Sequence, residues 1–184
     1  MSLFPLKAPV TEEDLRKLHS GDQVLISGVI YTARDAAHQR LCKLLEQGES
    51  LPVDLRNQIL YYTGPTPAKP EMVTGSIGPT TSYRMDPYPP ALLEYGVKVL
   101  IGKGPRSQEV KEALVRWGGV YLAALGVAAA LLARSVRSQE VVAYPDLGPE
   151  AIRRLEVVDF PAIVINDLYG HDLYLDGVKR YAKD

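Results

Sequence analysis

Three short segments of the chain carry residue types suited to holding anions. In Tyr31-Thr32-Ala33-Arg34-Asp35-Ala36-Ala37-His38, Thr32 and Asp35 have capping-box spacing, with Asp in place of the usual Glu. With Thr32 as N-cap, Arg34 falls in the first helical turn, where the helix dipole disfavours a cation. An anion docked between Arg34 and the free backbone N–H groups would account for it. His38 follows four residues later on the same helix face. Read without a ligand, the same pattern is a surface ion pair beside a partly buried histidine. The second segment is Gly75-Ser76-Ile77-Gly78-Pro79-Thr80-Thr81-Ser82-Tyr83-Arg84-Met85-Asp86-Pro87. Its hydroxyls, turn backbone and guanidinium can clamp a carboxylate or phosphate. No Gly-Lys-Ser/Thr follows, so it is not a Walker loop. Read blandly, it is a Ser/Thr/Pro-rich surface turn. The third segment, Ile101-Gly102-Lys103-Gly104-Pro105, places a glycine-flanked lysine after an apolar run. In α/β sheets, ligands bind beyond the carboxyl ends of strands; the alternative is a solvated lysine in a turn. If Arg34, Arg84 and Lys103 converge, they suit a ligand with two carboxylates. Local spacing carries no information on that convergence.

The elements that must position these residues alternate in type. Residues 24–30, 58–62, 97–101, 119–122, 140–143 and 162–165 read as strands, and 172–175 as a strand paired beside the last. Residues 33–47 have helical apolar spacing at Ala37, Leu41, Leu44 and Leu45, with Gly48 as a stop. Ser107 caps a second helix, 123–134 reads as a small-residue helix, and Pro149 opens a short helix reaching Leu155. A polar helix starts at Glu12. Strands alternating with helices indicate an α/β domain with a parallel or mixed sheet. Residues 63–90 stand apart, with seven of the fourteen prolines and three glycines. A loop of that length in a compact domain is usually functional.

Composition narrows the function classes. The 184 residues suit a single domain, 1–184, with 63–90 as a long active-site loop and about 177–184 as a C-terminal tail. Lys plus Arg number 21 against 22 Asp plus Glu, so no global charge points to nucleic acid or an acidic membrane. The single cysteine, Cys42, cannot form an internal disulfide or by itself hold a cluster, and points to a cytoplasmic protein. Its apolar neighbours make it a packing residue. The uncharged run 117–133 is short for a membrane span and broken by glycines; it reads as a buried strand followed by a buried helix. The first residues lack a secretory signal pattern.

The quoted segments resemble the signatures of a family. Ser27-Gly28-Val29-Ile30-Tyr31-Thr32-Ala33-Arg34-Asp35-Ala36-Ala37-His38 is similar to the first signature of the β subunit, or C-terminal domain, of class I iron–sulfur hydro-lyases, the class I fumarate hydratases and L(+)-tartrate dehydratases. Gly78-Pro79-Thr80-Thr81-Ser82-Tyr83-Arg84-Met85-Asp86 resembles the second, and Gly102-Lys103-Gly104 the third. Asp146-Leu147-Gly148-Pro149-Glu150-Ala151 and Asp159-Phe160-Pro161-Ala162 match in order and spacing. The resemblance implies a swivelling β/β/α domain, three-layered, with a mixed or parallel central sheet. It implies a partner α subunit carrying a [4Fe–4S] cluster, an α2β2 heterotetramer, and reversible hydration of fumarate to L-malate that this chain alone does not perform. By motif position, Arg34, Thr80, Arg84 and Lys103 bind the dicarboxylate, Asp35 and Thr81 support them, and Thr80 lies near the reacting carbon. His38 is a second-rank candidate for orientation or proton traffic, and this chain supplies no metal ligand. Ser82-Tyr83 departs from the two small residues associated with the family, so substrate identity is open between fumarate, tartrate and another hydroxy-dicarboxylate. A non-catalytic anion-binding or assembly module is the reading from another class.

Overall fold

The computed structural model describes residues 2–124 and 129–181. Among these residues, seven strands and six helices occur in the order β1 (Leu3–Lys7), α1 (Glu12–Arg16), β2 (Gln23–Thr32), α2 (Asp35–Glu46), β3 (Ile59–Tyr61), α3 (Pro89–Tyr95), β4 (Val99–Gly102), α4 (Gln108–Trp117), β5 (Val120–Ala123), α5 (Ala129–Arg134), β6 (Val136–Ala143), β7 (Ile152–Asn166) and α6 (Leu173–Tyr181). Short 3-10 turns at Ser82–Met85 and Pro145–Glu150 complete the described elements. The mixed α/β class expected from the alternation is what forms.

The sheet closes on itself. Strands β1, β2, β3, β4 and β5 run parallel in that order, and β7 lies antiparallel to β5, β6 and β2. The pairing of β7 with both β5 and β2 makes a ring of β2, β3, β4, β5 and β7, with β1 and β6 outside it. Closure removes two edges that an open sheet would expose. Strand β7 manages it by bending: Leu155 and Val157 point into one apolar cluster, then Phe160, Ala162 and Val164 do. The switch from odd to even positions falls at Val158-Asp159, where the register with β2 shifts and Asp159 takes φ +52°. Opposite it, Gly28 has φ +111°, and a Cβ there would sit 2.5 Å from the Ala8 carbonyl oxygen.

Alternation along the strands separates two cores. Ile30, Ile59, Tyr61, Val99, Ile101, Val120, Leu122 and Leu155 face the ring interior. Leu60, Tyr62, Leu100 and Tyr121 face outward and are covered by α2, α3 and α4 through Leu41, Leu92, Leu93, Val110 and Leu114. Every residue of β3, β4 and β5 is buried, as parallel strands sandwiched on both faces require. Each fully buried Leu or Ile contributes roughly 1.5–3 kcal/mol relative to exposure.

Four local expectations need correction. Thr32 is the last residue of β2 and not an N-cap; Arg34 occupies the cap position, and the Thr32 hydroxyl accepts the Arg153 N–H at 3.2 Å. Pro149 does not start a helix: the 3-10 turn ends at Glu150, and Ile152 begins a fifteen-residue strand. Neighbouring β2 and β6 recruit 152–155 into the sheet, which overrides local propensity. Residues 173–175 belong to α6 and not to a strand; only Asp172 bridges to Asn166, and its carboxylate accepts the Tyr174 and Leu175 N–H groups at the helix start. The helix expected over 123–134 covers Ala129–Arg134, Ala123 ends β5, and 125–128 lie outside the described residues. Run 117–133 thus splits into strand and helix, and no described helix is long and apolar enough to cross a membrane.

Candidate functional site

The carboxyl ends of β2, β3 and β4 lie side by side, because these strands are parallel neighbours. Arg34 stands just beyond β2, Lys103 just beyond β4, and the long loop leaves β3 between them. The loop then returns to the same strand ends. The Thr80 N–H donates to the Tyr62 carbonyl at 2.6 Å, and Thr81 bridges in parallel to Lys103. The Ser82 N–H donates to the Lys103 carbonyl at 2.9 Å, while the Lys103 N–H donates to Ser82 Oγ at 3.0 Å. The second and third motifs are thereby stitched together by backbone, with Thr80 and Thr81 half-buried beside the exposed Lys103.

Gly102 makes this approach possible. A Cβ at that position would lie 1.9 Å from Ser82 Oγ and 2.9 Å from a Tyr62 ring carbon. Ser82 is fixed in turn by the Tyr121 hydroxyl at 2.9 Å, which itself reaches the Gly104 carbonyl at 2.8 Å. Upstream, the Tyr61 hydroxyl donates to the Ile77 carbonyl and Thr63 Oγ1 to the Gly78 carbonyl at 2.8 Å. Residues 63–90 are thus tied to the strand ends at several points.

The first and second motifs meet through Asp35. Its Oδ1 is 3.1 Å from Arg84 NH2, and its Oδ2 is 3.8 Å from Arg34 Nε. Two guanidiniums therefore converge on one carboxylate at the start of α2. Arg34 is one-quarter exposed and Arg84 about half exposed. Tyr83 projects outward at 63% exposure.

His38 is fully buried, packed edge-on against Tyr62 at 5.2 Å and near Tyr88 at 5.7 Å. Its Nδ1 lies 2.8 Å from the Arg34 carbonyl oxygen, which can only accept, so the proton sits on Nδ1. Burial pushes its pKa down to about 4, against a smaller opposing effect of that hydrogen bond. The ring is a neutral core group bonded to the N-cap residue of its own helix, with Nε2 unpartnered among the described residues.

Three residues that act on the site lay outside the sequence-based set. Glu150 pairs with Arg34 at 3.4 Å, and its other oxygen accepts the Ala36 N–H at 3.1 Å. Arg106 is wholly buried, with Nε 2.8 Å from Asp86 Oδ1. Asp86 Oδ2 also accepts the Ser107 N–H at 2.7 Å, anchoring the end of the second motif to the start of α4. The legible signal for Arg106 is the one read at Arg34, a cation beside a helix start where the dipole disfavours it. Glu150 and Asp86 lie inside quoted motifs but have no local feature that announces their partners.

The chain does not furnish an iron–sulfur site from its own cysteines. Cys42 is buried, its thiol hydrogen-bonds the Tyr88 carbonyl at 3.7 Å, and burial pushes its pKa up to about 11.

Residues 3–177 match the family described as Fumarase C-terminus. The chain is 42% identical, over 95% of its length, to a protein of Geobacillus stearothermophilus provisionally named a class I fumarate hydratase, and spans 34% of that protein. It is 42% identical over 84% of its length to the anaerobic class I fumarate hydratase of Escherichia coli strain K12, spanning 29% of it. It is 42% identical over 93% of its length to a protein of Methanocaldococcus jannaschii provisionally named L(+)-tartrate dehydratase subunit beta, spanning 91% of that one. The chain thus covers about a third of the fumarate hydratases and nearly all of the beta subunit. With the match extending over almost every described element, the chain belongs to the fumarase C-terminus family.

Proposed function

We propose that this chain is the β subunit of a two-subunit class I hydro-lyase that interconverts fumarate and L-malate. The observation that carries the reading is the meeting of Arg34 and Arg84 on Asp35, at the strand ends that also hold Thr80, Thr81 and Lys103. A dicarboxylate needs at least two cationic clamps, and guanidinium forks match carboxylate geometry. Loss of water beside a carboxylate builds negative charge on that group, and pre-positioned cations stabilise it without reorganising. In this reading Arg34, Arg84 and Lys103 hold the two carboxylates, Thr80 contacts the reacting carbon, and Asp35 and Thr81 keep these groups in register. The neutral His38 supports the α2 start from beneath rather than carrying protons. Residues of the partner α subunit hold the [4Fe–4S] cluster, which supplies Lewis acidity toward the leaving hydroxyl. We assign the complex to the cytoplasm as an α2β2 heterotetramer in a swivelling β/β/α arrangement. This placement rests on the single cysteine and on family resemblance.

The test is reconstitution. Mixed anaerobically with its cognate α subunit, the chain gives fumarate hydration that neither subunit gives alone. Full activity from the α subunit by itself would sink the reading, and no activity on any hydroxy-dicarboxylate would return the chain to an anion-binding or assembly role. A tartrate substrate is supported by the match along 91% of the M. jannaschii beta subunit. A panel of malate, tartrate and related substrates separates the two, with Tyr83 the first side chain to vary.

A further inference from the structure

We infer that Glu150 is a positioning residue for the dicarboxylate clamp, acting by holding the Arg34 guanidinium; this rests on the hydro-lyase reading above. Arg34 occupies the N-cap of α2, and arginine has no acceptor with which to cap a helix. The Ala36 N–H, one of the orphan donors of the first turn, is satisfied instead by Glu150 Oε2 at 3.1 Å, from 114 residues away in sequence. The same carboxylate places Oε1 3.4 Å from Arg34 NH2. One side chain therefore fixes both the backbone around Arg34 and the guanidinium itself.

The segment carrying Glu150 is built to stay in place. Arg40 of α2 grips Asp146 with a two-pronged bond at 2.9 and 2.5 Å. Arg153 donates to the Gly148 and Pro149 carbonyls, each at 3.1 Å. The Arg34 stem runs through a slot between this turn and the loop after β3. A Cβ on Gly64 would meet the Pro149 carbonyl oxygen at 3.1 Å and Arg34 Cδ and NH1 at 3.2 Å. Glu150 closes one side of that slot, and Asp35 faces Nε from another at 3.8 Å. Without the Glu150 charge, the guanidinium loses the nearer of its two carboxylate partners among the described residues and keeps only the longer contact to Asp35. A displacement on the order of 1 Å at a clamping group can cost about a hundredfold.

The experiment compares wild-type and variant chains in the complete enzyme with its α subunit, assayed with L-malate and with tartrate. Glu150→Gln keeps an acceptor for the Ala36 N–H but removes the charge on Arg34. It should raise KM roughly 10- to 100-fold, change kcat much less, and leave the Tm of the chain nearly unmoved. In an Arg34→Ala background the same substitution should have no further effect on KM, as residues acting through one another are non-additive. If Glu150→Gln fails to fold, Glu150→Asp takes its place, since shortening the side chain withdraws the carboxylate from Arg34 and raises KM likewise. A wild-type KM, a lowered KM, or additive effects with Arg34→Ala each overturn the inference while an active wild-type enzyme leaves the hydro-lyase reading standing. An inactive wild-type complex overturns the reading, and the role of Glu150 with it.

Discussion

Replacing Arg106 with alanine tests whether the second motif is held by a buried charge pair. The guanidinium is fully shielded from solvent, pairs with Asp86 at 2.8 Å, donates to the Tyr62 hydroxyl at 3.2 Å, and lies 5.2 and 4.8 Å from the Tyr62 and Tyr121 ring centroids. Arg106→Ala leaves Asp86, only 13% exposed, with the Ser107 N–H as its remaining partner in the described structure. Stranding one member of a buried pair costs about 3–5 kcal/mol, and the lost ring contacts fall largely within that range. At an m-value of about 2 kcal/mol/M, the urea midpoint of the chain should fall by roughly 1.5–2.5 M. Removing Asp86 as well should recover part of the loss, because no uncompensated charge then remains. A midpoint shift below about 0.5 M, or full additivity of Arg106→Ala and Asp86→Ala, would refute the claim that this pair anchors residues 80–86.

Gly102→Ala forces a methyl onto Ser82 Oγ and the Tyr62 ring; overpacking of about 1–3 kcal/mol should lower Tm by roughly 3–10 °C, and an unchanged melt would mean the loop yields freely. His38 titrates near 4 in the folded chain against 6.5 when unfolded. Its contribution is thus fully present above about pH 6.5 and lost as pH falls toward 4, about 3 kcal/mol in all. His38→Phe should flatten the pH dependence of urea stability in that window, and an unchanged slope would count against the buried neutral ring. In the reconstituted enzyme, Arg34→Ala or Arg84→Ala should lower kcat/KM by roughly two to four powers of ten, on the order of 3–5 kcal/mol. Wild-type kinetics for either variant would remove that arginine from the site.

Much of the fold was legible because its signals are local. Ser107 caps α4 through the Val110 N–H at 3.3 Å, and Gly48 takes φ +69° just past α2. The errors arose where distant partners decided. Residues 152–155 follow a proline-containing turn and read as helical, yet two strands flank them and draw them into β7. Thr32 has capping-box spacing, but its hydroxyl serves β7 and the cap is supplied by Glu150. The expected anion beside Arg34 is, in this structure, a carboxylate of the chain itself. His38 does not share a helix face with Arg34, which is the extended N-cap residue; the His38 ring reaches the Arg34 carbonyl oxygen instead, and its burial depends on Tyr62 and Tyr88, which no helical periodicity reports.

By itself, the sequence determined the alternation of strands and helices and three motifs each carrying a cation. These follow from side-chain period, cap chemistry and turn residues, which act over a few positions. Tertiary structure alone decided that β7 closes the sheet by reaching β2, that Asp35 joins Arg34 to Arg84, that Gly102 admits Ser82, and that Glu150 and Arg106 brace the site. Each of these depends on which segments become neighbours across the chain. Strand pairing and buried ion pairs gain their energy only after that closure has been made.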